Sequence, residues 1–246
     1  LKRVVVTGLG AITPLGNDVP SFWNGLINGV SGAARITKFD PTNFKTQFAC
    51  EVKGFDVSQF LERRDSRKMD LFAQYAIACS DEAIADAGLD GENPPLDQDR
   101  VGVIWGSGIG GFQTFMNEAL NFHENGGFPR FSPFFIPMMI SDIAAGHISI
   151  RHGYRGPNFC TVSACASGTN AMIDAFNYIR LGKAEIMVTG GSEAAVTEGG
   201  IGGFNALKAL STRNDEPARA SRPFDATRDG FVLGEGAGAL ILESYE

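Results

Sequence analysis

Two kinds of apolar run alternate along the chain. Short continuous runs read as strands: Arg3–Thr7, Val101–Trp105, Phe159–Ala164, Glu185–Thr189 and Ala239–Glu243, with Val-rich Arg3–Thr7 and Glu185–Thr189 expected to be buried. Between them lie stretches with a helical period. From Ser66 to Ala87 the apolar Met69, Phe72, Ala76, Cys79, Ala83 and Ala87 recur at three- and four-residue steps, the mark of an amphipathic helix, and Gly88 stops it. Ser21–Asn28, Gly110–Asn125, Met138–Ile150 and Ser167–Leu181 carry weaker helical patterns. Residues 30–56 are loop-rich, with a minor strand expected at Cys50–Phe55. Residues 126–137, dense in Phe and Pro, are expected to be irregular. Glu92–Asp99 reads as a polar, proline-bearing link, and Gly234–Gly238 as a flexible lead into the last strand.

Strands alternating with helices imply an α/β fold, a largely parallel sheet between helical layers. No repeat, low-complexity tract or linker interrupts the pattern. At 246 residues, against about 150 per domain, one large domain is expected. With 43% apolar and 20% charged residues the chain can bury a substantial core. Its 21 Lys and Arg against 28 Asp and Glu give a net charge of −7, which argues against a nucleic-acid surface. No stretch approaches the ~18 apolar residues of a membrane span, and the N-terminus starts straight into a strand pattern without a signal-peptide layout. Four cysteines in a chain of this length form no disulfide framework, so a reducing, cytoplasmic setting is expected. The 31 glycines cluster beside apolar runs, where backbone must approach backbone or ligand.

Candidate chemistry gathers in a few segments. Gly106-Ser-Gly-Ile-Gly-Gly111 follows a strand with the spacing of a dinucleotide loop, and Gly8-Leu-Gly10-Ala-Ile-Thr13 is a near miss. A dinucleotide site also wants an acid about 20 residues on, at a strand end; Glu124 has the distance but no strand before it. Tight strand-to-helix turns are the simpler explanation. Thr161-Val-Ser-Ala-Cys165-Ala-Ser-Gly-Thr-Asn170 says more. A strand runs into a cysteine flanked only by small residues, and a helix starts at once, which is the layout of a nucleophile elbow. The positive end of that helix favours a thiolate. A packed, inert thiol is the competing reading of Cys165, while Cys50, Cys79 and Cys160 lack the setting and read as core. The five-residue spacing of Cys160 and Cys165 is no zinc pattern. His147, in an apolar helix, is expected to be packed and hydrogen-bonded; His123 and His152, in polar surroundings, are expected to be exposed. None is assigned as a general base. Arg63, Arg64, Arg67 and Lys68 fall within six positions, either a solvated helix start or a local patch that steers an anionic partner.

Taken together, Thr161–Gly168, Ala145-Gly-His147, Arg155-Gly-Pro157, Leu210–Asn214, Ser221–Asp225 and Asp229–Gly238 resemble the β-ketoacyl-acyl-carrier-protein synthases, most nearly the synthase II group of dissociated fatty-acid synthesis. The resemblance runs from residue 1 to 246. It implies a thiolase-like half, with a mixed five-stranded sheet between layers of helices. It implies that Cys165 takes an acyl chain from acyl carrier protein as a thioester. Decarboxylative Claisen condensation with malonyl-carrier protein would then give 3-oxoacyl-carrier protein and CO2. Ile109, Phe135, Ile136, Gly200 and Phe204 match acyl-pocket positions, with Phe135 and Ile136 reaching into the neighbouring subunit of a homodimer. Arg67, Lys68, Arg130 and Lys208 match the basic positions that dock the acidic carrier protein. No cofactor, metal, nucleic acid or membrane is implied.

The family's histidine pair, assisting lysine and gating phenylalanine lie in a C-terminal half that residues 1–246 do not include. The resemblance therefore implies that this chain alone does not complete the condensation, and that a hydrophobic face is left uncovered. A polyketide-type ketosynthase half shares most of the motifs, and a non-catalytic carrier-binding or assembly module would share the fold. Retention of Cys165 speaks against the latter.

Overall fold

The fold is described here from a computed structural model covering residues 1–91 and 97–245. Strand β1 (Val4–Ile12) outruns its Val-rich start because Gly8 and Gly10 carry it on. Helix α1 (Val19–Ile27) follows, capped by Asp18, whose carboxylate accepts the Ser21 N–H. Strands β2 (Ala34–Arg35) and β3 (Phe48–Ala49) make a separate two-stranded pair. The minor strand expected at Cys50–Phe55 does not form: Cys50 makes one isolated bridge to Gly234. The Glu51 carboxylate takes the N–H groups of Thr37 and Lys38 that a strand would have used.

A short helix α2 (Arg63–Ser66) precedes the long pattern expected from Ser66, which becomes helix only at Leu71, as α3 (Leu71–Asp86) capped by Asp70. Then come β4 (Val101–Gly106), α4 (Phe112–Glu124), α5 (Phe135–Met139) and α6 (Ile143–His152). Helix α5 occupies part of the stretch expected to be irregular. It delays α6 to Ile143, with Ile140 extended between the two. The polar link at Glu92–Asp99 lies largely outside the described residues; Gln98–Arg100 forms a single 3-10 turn. The rest is β5 (Asn158–Thr161), α7 (Ser167–Arg180), β6 (Ile186–Glu193), α8 (Glu198–Ala206) and β7 (Gly236–Ser244). Helix α8 escapes sequence reading because four of its nine residues are glycine. Only the Thr197 cap and Glu198 in the first turn announce it.

The main sheet has the order β1-β7-β6-β4-β5. Strands β4, β5 and β6 run parallel, and β7 runs antiparallel between β6 and β1. The sheet is thus mixed, as the resemblance implies, and largely parallel in direction, as alternation suggested, since only β7 runs against the other four strands. Gly236–Gly238, expected to be flexible, is paired strand within β7. Alternate side chains go to opposite faces. Val103, Trp105, Val188 and Ile241 join the core that holds α3 and α6, while Ile104, Met187 and Leu242 join the core under α7.

Helix α3 is buried over most of its length, from Phe72 to Ile84. It sits so close to β1 that a Cβ on Gly10 would lie 1.9 Å from the Cys79 carbonyl oxygen. This contact also protects the edge of the sheet. Asp86 and Glu82 of α3 accept the outward N–H groups of Leu9 and Ala11, at 2.9 and 2.8 Å. Glu82 extends the same support to the first N–H of α1, at Val19.

Asp70 ties two helix starts together. Its buried carboxylate caps α3 at the Phe72 N–H and accepts both the N–H and the hydroxyl of Thr114 in the first turn of α4. Asp70→Ala leaves those donors buried without acceptors and is expected to cost about 2–4 kcal/mol in urea unfolding. Asp65→Ala, at a surface ion pair with Lys68, should change stability by less than about 1 kcal/mol. Equal losses for the two would contradict the double-cap role.

Candidate active site

The C-terminal ends of β4 and β6 and the N-terminus of α7 meet backbone to backbone. A Cβ on Gly106 would lie 2.3 Å from the Ser167 carbonyl carbon, and one on Gly191 would lie 3.0 Å from the Gly168 Cα. Only hydrogen in place of a side chain lets the helix start on the strands. The preceding turn is tight. Ala164 has φ of +52°, a left-handed conformation uncommon for a residue with a Cβ. Its neighbours hold it there. Buried Ser167 donates its hydroxyl to the Ala164 carbonyl and accepts the Ser163 N–H, at 2.7 and 2.9 Å. Thr161 donates to the Ser167 carbonyl and Asn170 to the Ser163 hydroxyl. The result is an exposed Cys165 at the crest of the turn, two residues before the helix.

The other three thiols are less exposed: Cys79 is buried, Cys160 is half-buried, and half-buried Cys50 lines the same cavity as Cys165. Burial pushes Cys50 and Cys160 up from the ordinary thiol value and Cys79 well above it. All four are unpaired. Among the described residues no group of three or more His, Cys, Asp or Glu is placed to hold a metal ion.

Cys165 opens on a cavity of about 840 Å³ at the C-terminal ends of β1, β4 and β6 and the N-terminal end of antiparallel β7. This is the end of an α/β sheet at which ligands bind. Its apolar wall includes Ile12, Ile109, Met172, Phe204, Phe231 and Leu233. Phe204 and Phe231 meet edge to face at 5.3 Å.

Two acids line the cavity that the sequence did not single out. Glu235, its side chain fully buried, pairs with Lys38 Nζ at 2.6 Å and accepts the Val52 N–H and the Tyr75 hydroxyl. Burial, and after it the Glu235 charge, push the Tyr75 hydroxyl up in turn. Glu193, the last residue of β6, lies across the loop after β4. Its carboxylate accepts the N–H of Gly108 at 2.7 Å, the N–H of Ile109 at 3.2 Å and the Ser107 hydroxyl at 3.3 Å. Ser107 Oγ in turn accepts the Gly110 N–H. Burial raises the Glu193 carboxyl above its ordinary value, against the lowering effect of these donors.

That carboxylate settles the dinucleotide-like motif. The N–H cradle of Gly106–Gly111 is filled from within by Glu193, and Glu124 closes a helix instead of a strand. The loop is a strand-to-helix turn with an internal anion. A lone Glu closing the apolar strand Ile186–Glu193 was the available signal for it.

Of the five residues matched to an acyl pocket, Ile109 and Phe204 stand on the cavity wall with Cys165. Gly200 does not. It lies in the first turn of α8, where a Cβ would strike the Ala195 carbonyl oxygen at 2.0 Å and Thr197 caps its N–H. Phe135 stacks with Phe115 and Phe131, and Ile136 beside it is 55% exposed; neither lines this cavity. Arg67, Arg130 and Lys208 are exposed. Lys68 is half-buried, paired with Asp65 at 2.9 Å and 5.8 Å from the centre of the Phe134 ring.

Among the described residues no histidine lines the cavity. His123 is exposed as expected. His152 is not, because its Nε2 lies 2.9 Å from Asp81 and its ring stacks on Tyr154. His147 is packed, and burial lowers its basicity, but among the described residues it makes no side-chain hydrogen bond.

The β-ketoacyl synthase N-terminal domain model matches residues 1–246. The 3-oxoacyl-[acyl-carrier-protein] synthase 2 of Vibrio cholerae is 50% identical over 246 residues, and that of Synechocystis 49% over 245. Each match takes in all of this chain and 58% of the relative, so the chain spans little more than half of their length. Among solved structures, a β-ketoacyl synthase from Burkholderia phymatum superposes with a TM-score of 0.89 at 34% identity, covering 100% of this chain and 60% of that one. A ketosynthase in complex with its type II polyketide acyl-carrier protein, bound to the hexaketide, gives 0.79 at 26% identity, covering 99% and 64%.

The glycine contact makes a sharp stability prediction. Gly106→Ala should destabilise the fold by about 2 kcal/mol or more, since the obstructing atoms are backbone. Gly168→Ala, whose Cβ would meet its nearest atom at an ordinary 3.5 Å, should be neutral or gain about 0.5 kcal/mol from helix propensity. Urea unfolding of the two variants reads the difference, and equal effects would contradict the contact.

Proposed function

The chain belongs to the β-ketoacyl synthase family, whose N-terminal domain it matches throughout, and on that premise we propose that Cys165 is the acyl-accepting nucleophile of a condensing enzyme of dissociated fatty-acid synthesis. The observation that carries this reading is the exposed Cys165 thiol at a helix N-terminus, opening on an apolar-walled cavity. The sulfur attacks the thioester carbonyl of a chain carried by acyl carrier protein. The carrier thiol departs, and the acyl chain remains as a thioester against Ile109 and Phe204. The Cys165 N–H, which no backbone carbonyl among the described residues accepts, faces the oxyanion that forms in this step.

In the complete enzyme, malonyl-carrier protein then loses CO2, and the carbanion attacks the Cys165 thioester to give a 3-oxoacyl-carrier protein and the free thiol. We assign that second stage to groups in the part of the relatives that this chain does not span. The absence of any histidine from the cavity wall supports this division.

Exposed Arg67, Arg130 and Lys208, with Lys68 beside Phe134, form the proposed docking positions for the carrier protein on a chain whose net charge is −7. A homodimer in which Phe135 and Ile136 complete the neighbour's pocket is supported by their place outside their own cavity, beside the exposed Phe131 and Phe134. Four free thiols fit a cytoplasmic setting, and among the described residues no helix is long and apolar enough to cross a membrane. Identity near 50% to fatty-acid enzymes, against 26% to the polyketide ketosynthase, favours the fatty-acid role.

The test is incubation of the purified chain with a medium-chain acyl-carrier-protein thioester, followed by intact mass and peptide mapping. One acyl adduct, on Cys165 and absent from Cys165→Ala, is expected. A folded chain with no adduct, or with adducts spread over several residues, would overturn the proposal.

A further inference from the structure

Glu193 is a half-buried acid without an ionic partner among the described residues. No Lys, Arg or His forms a salt bridge with it among the described residues. Its charge is compensated by the ring of donors from Ser107, Gly108 and Ile109. A neutral side chain could accept the same bonds without the cost of partly desolvating a charge. The charge is therefore expected to serve the loop, since bonds to a carboxylate are the stronger kind.

The loop needs such a hold. It contains Gly108, Gly110 and Gly111, with Gly110 left-handed at φ of +70°, so it has little stiffness of its own. It is also wedged. A Cβ on Gly108 would stand 2.7 Å from Glu193 Oε2 and 3.3 Å from the Ala164 carbonyl oxygen. The Ile109-bearing loop is thus bonded to the carboxylate and packed against the turn that presents Cys165. All of these groups meet at one cavity.

We infer that Glu193 is a positioning residue that fixes Ile109 relative to Cys165 and so sets which acyl chains the thiol accepts. The inference rests on the proposed acyl transfer to Cys165. The carboxylate touches no reacting atom; it acts through the Gly108 and Ile109 N–H groups.

Two readouts test it on the whole chain. Amide hydrogen exchange at Gly108 and Ile109, followed by NMR, reports the clamp itself. The ratio of Cys165 acylation by dodecanoyl- and butyryl-carrier protein, followed by intact mass, reports its consequence. Iodoacetamide labelling of Cys165 checks that thiol access is unchanged.

Glu193→Ala should speed exchange at both amides by about tenfold and shift the acylation ratio by a similar factor. Alkylation should stay within about twofold of the parent chain. Glu193→Gln, which keeps one acceptor oxygen and a nearly identical shape, should fall between parent and Ala in both readouts. It also serves should the Ala variant fail to fold.

Unchanged exchange in either folded variant would overturn the inference. So would lost protection with an unchanged ratio, because Glu193 would then hold the loop without governing the acyl site. If the parent chain accepts neither acyl group, the acyl-transfer reading has failed and this inference falls with it. The exchange data would still show whether Glu193 clamps the loop.

Discussion

Everything at the candidate site depends on one close approach, the backbone of the α7 N-terminus lying against the ends of β4 and β6. Gly106 and Gly191 supply the room, and no side chain larger than hydrogen fits at Gly106 without moving backbone. The chain must therefore reverse within a few residues between β5 and α7. Ala164 is forced into a left-handed conformation, and a Ser–Thr–Asn network holds it there. Cys165 is exposed as a consequence of that turn. A small strain, of order 1 kcal/mol, is stored where the chemistry is expected, and the bonds of Ser167 offset it.

The same economy of space recurs on the other side of the sheet. Gly8 and Gly10 bring β1 onto α3, and that closeness lets Glu82 and Asp86 reach the edge N–H groups of the strand. Acidic side chains recur as acceptors for loose backbone: Asp70 for two helix starts, Glu51 for the Thr37 turn and Glu193 for the loop after β4. Several of the chain's carboxylates are thus structural acceptors turned inward. Asp70 and Glu51 are buried outright, so the net charge of −7 overstates what a partner meets outside.

Much of this was legible in the sequence. Short apolar runs located the five strands of the main sheet, and the small residues around Cys165 marked the turn before any fold was known. Strand direction was not legible, because β7 has the same apolar pattern whether it runs parallel or antiparallel to β6. Helix α8 was hidden by its glycines. His152 was misjudged because its partner, Asp81, lies 71 positions away and nothing local announces a tertiary hydrogen bond. Glu193 was overlooked for a similar reason, since its meaning depends on a loop 86 residues earlier. The Gly106–Gly111 motif then reads correctly as a cradle and wrongly as a nucleotide site. The resemblance to ketosynthases supplied what spacing could not, namely that Ile109 and Phe204 share a wall with Cys165.

The central claim is that the turn singles out one thiol of four. The most direct measurement is the rate of iodoacetamide alkylation of each cysteine in the folded chain, resolved by peptide mass spectrometry. Cys165 is exposed, while burial raises the other three thiols. Its label is therefore expected first, at least about tenfold ahead of Cys50 and Cys160 and further ahead of Cys79. Comparable rates at Cys50 or Cys160 would contradict the account, because the turn would then confer no special presentation on Cys165.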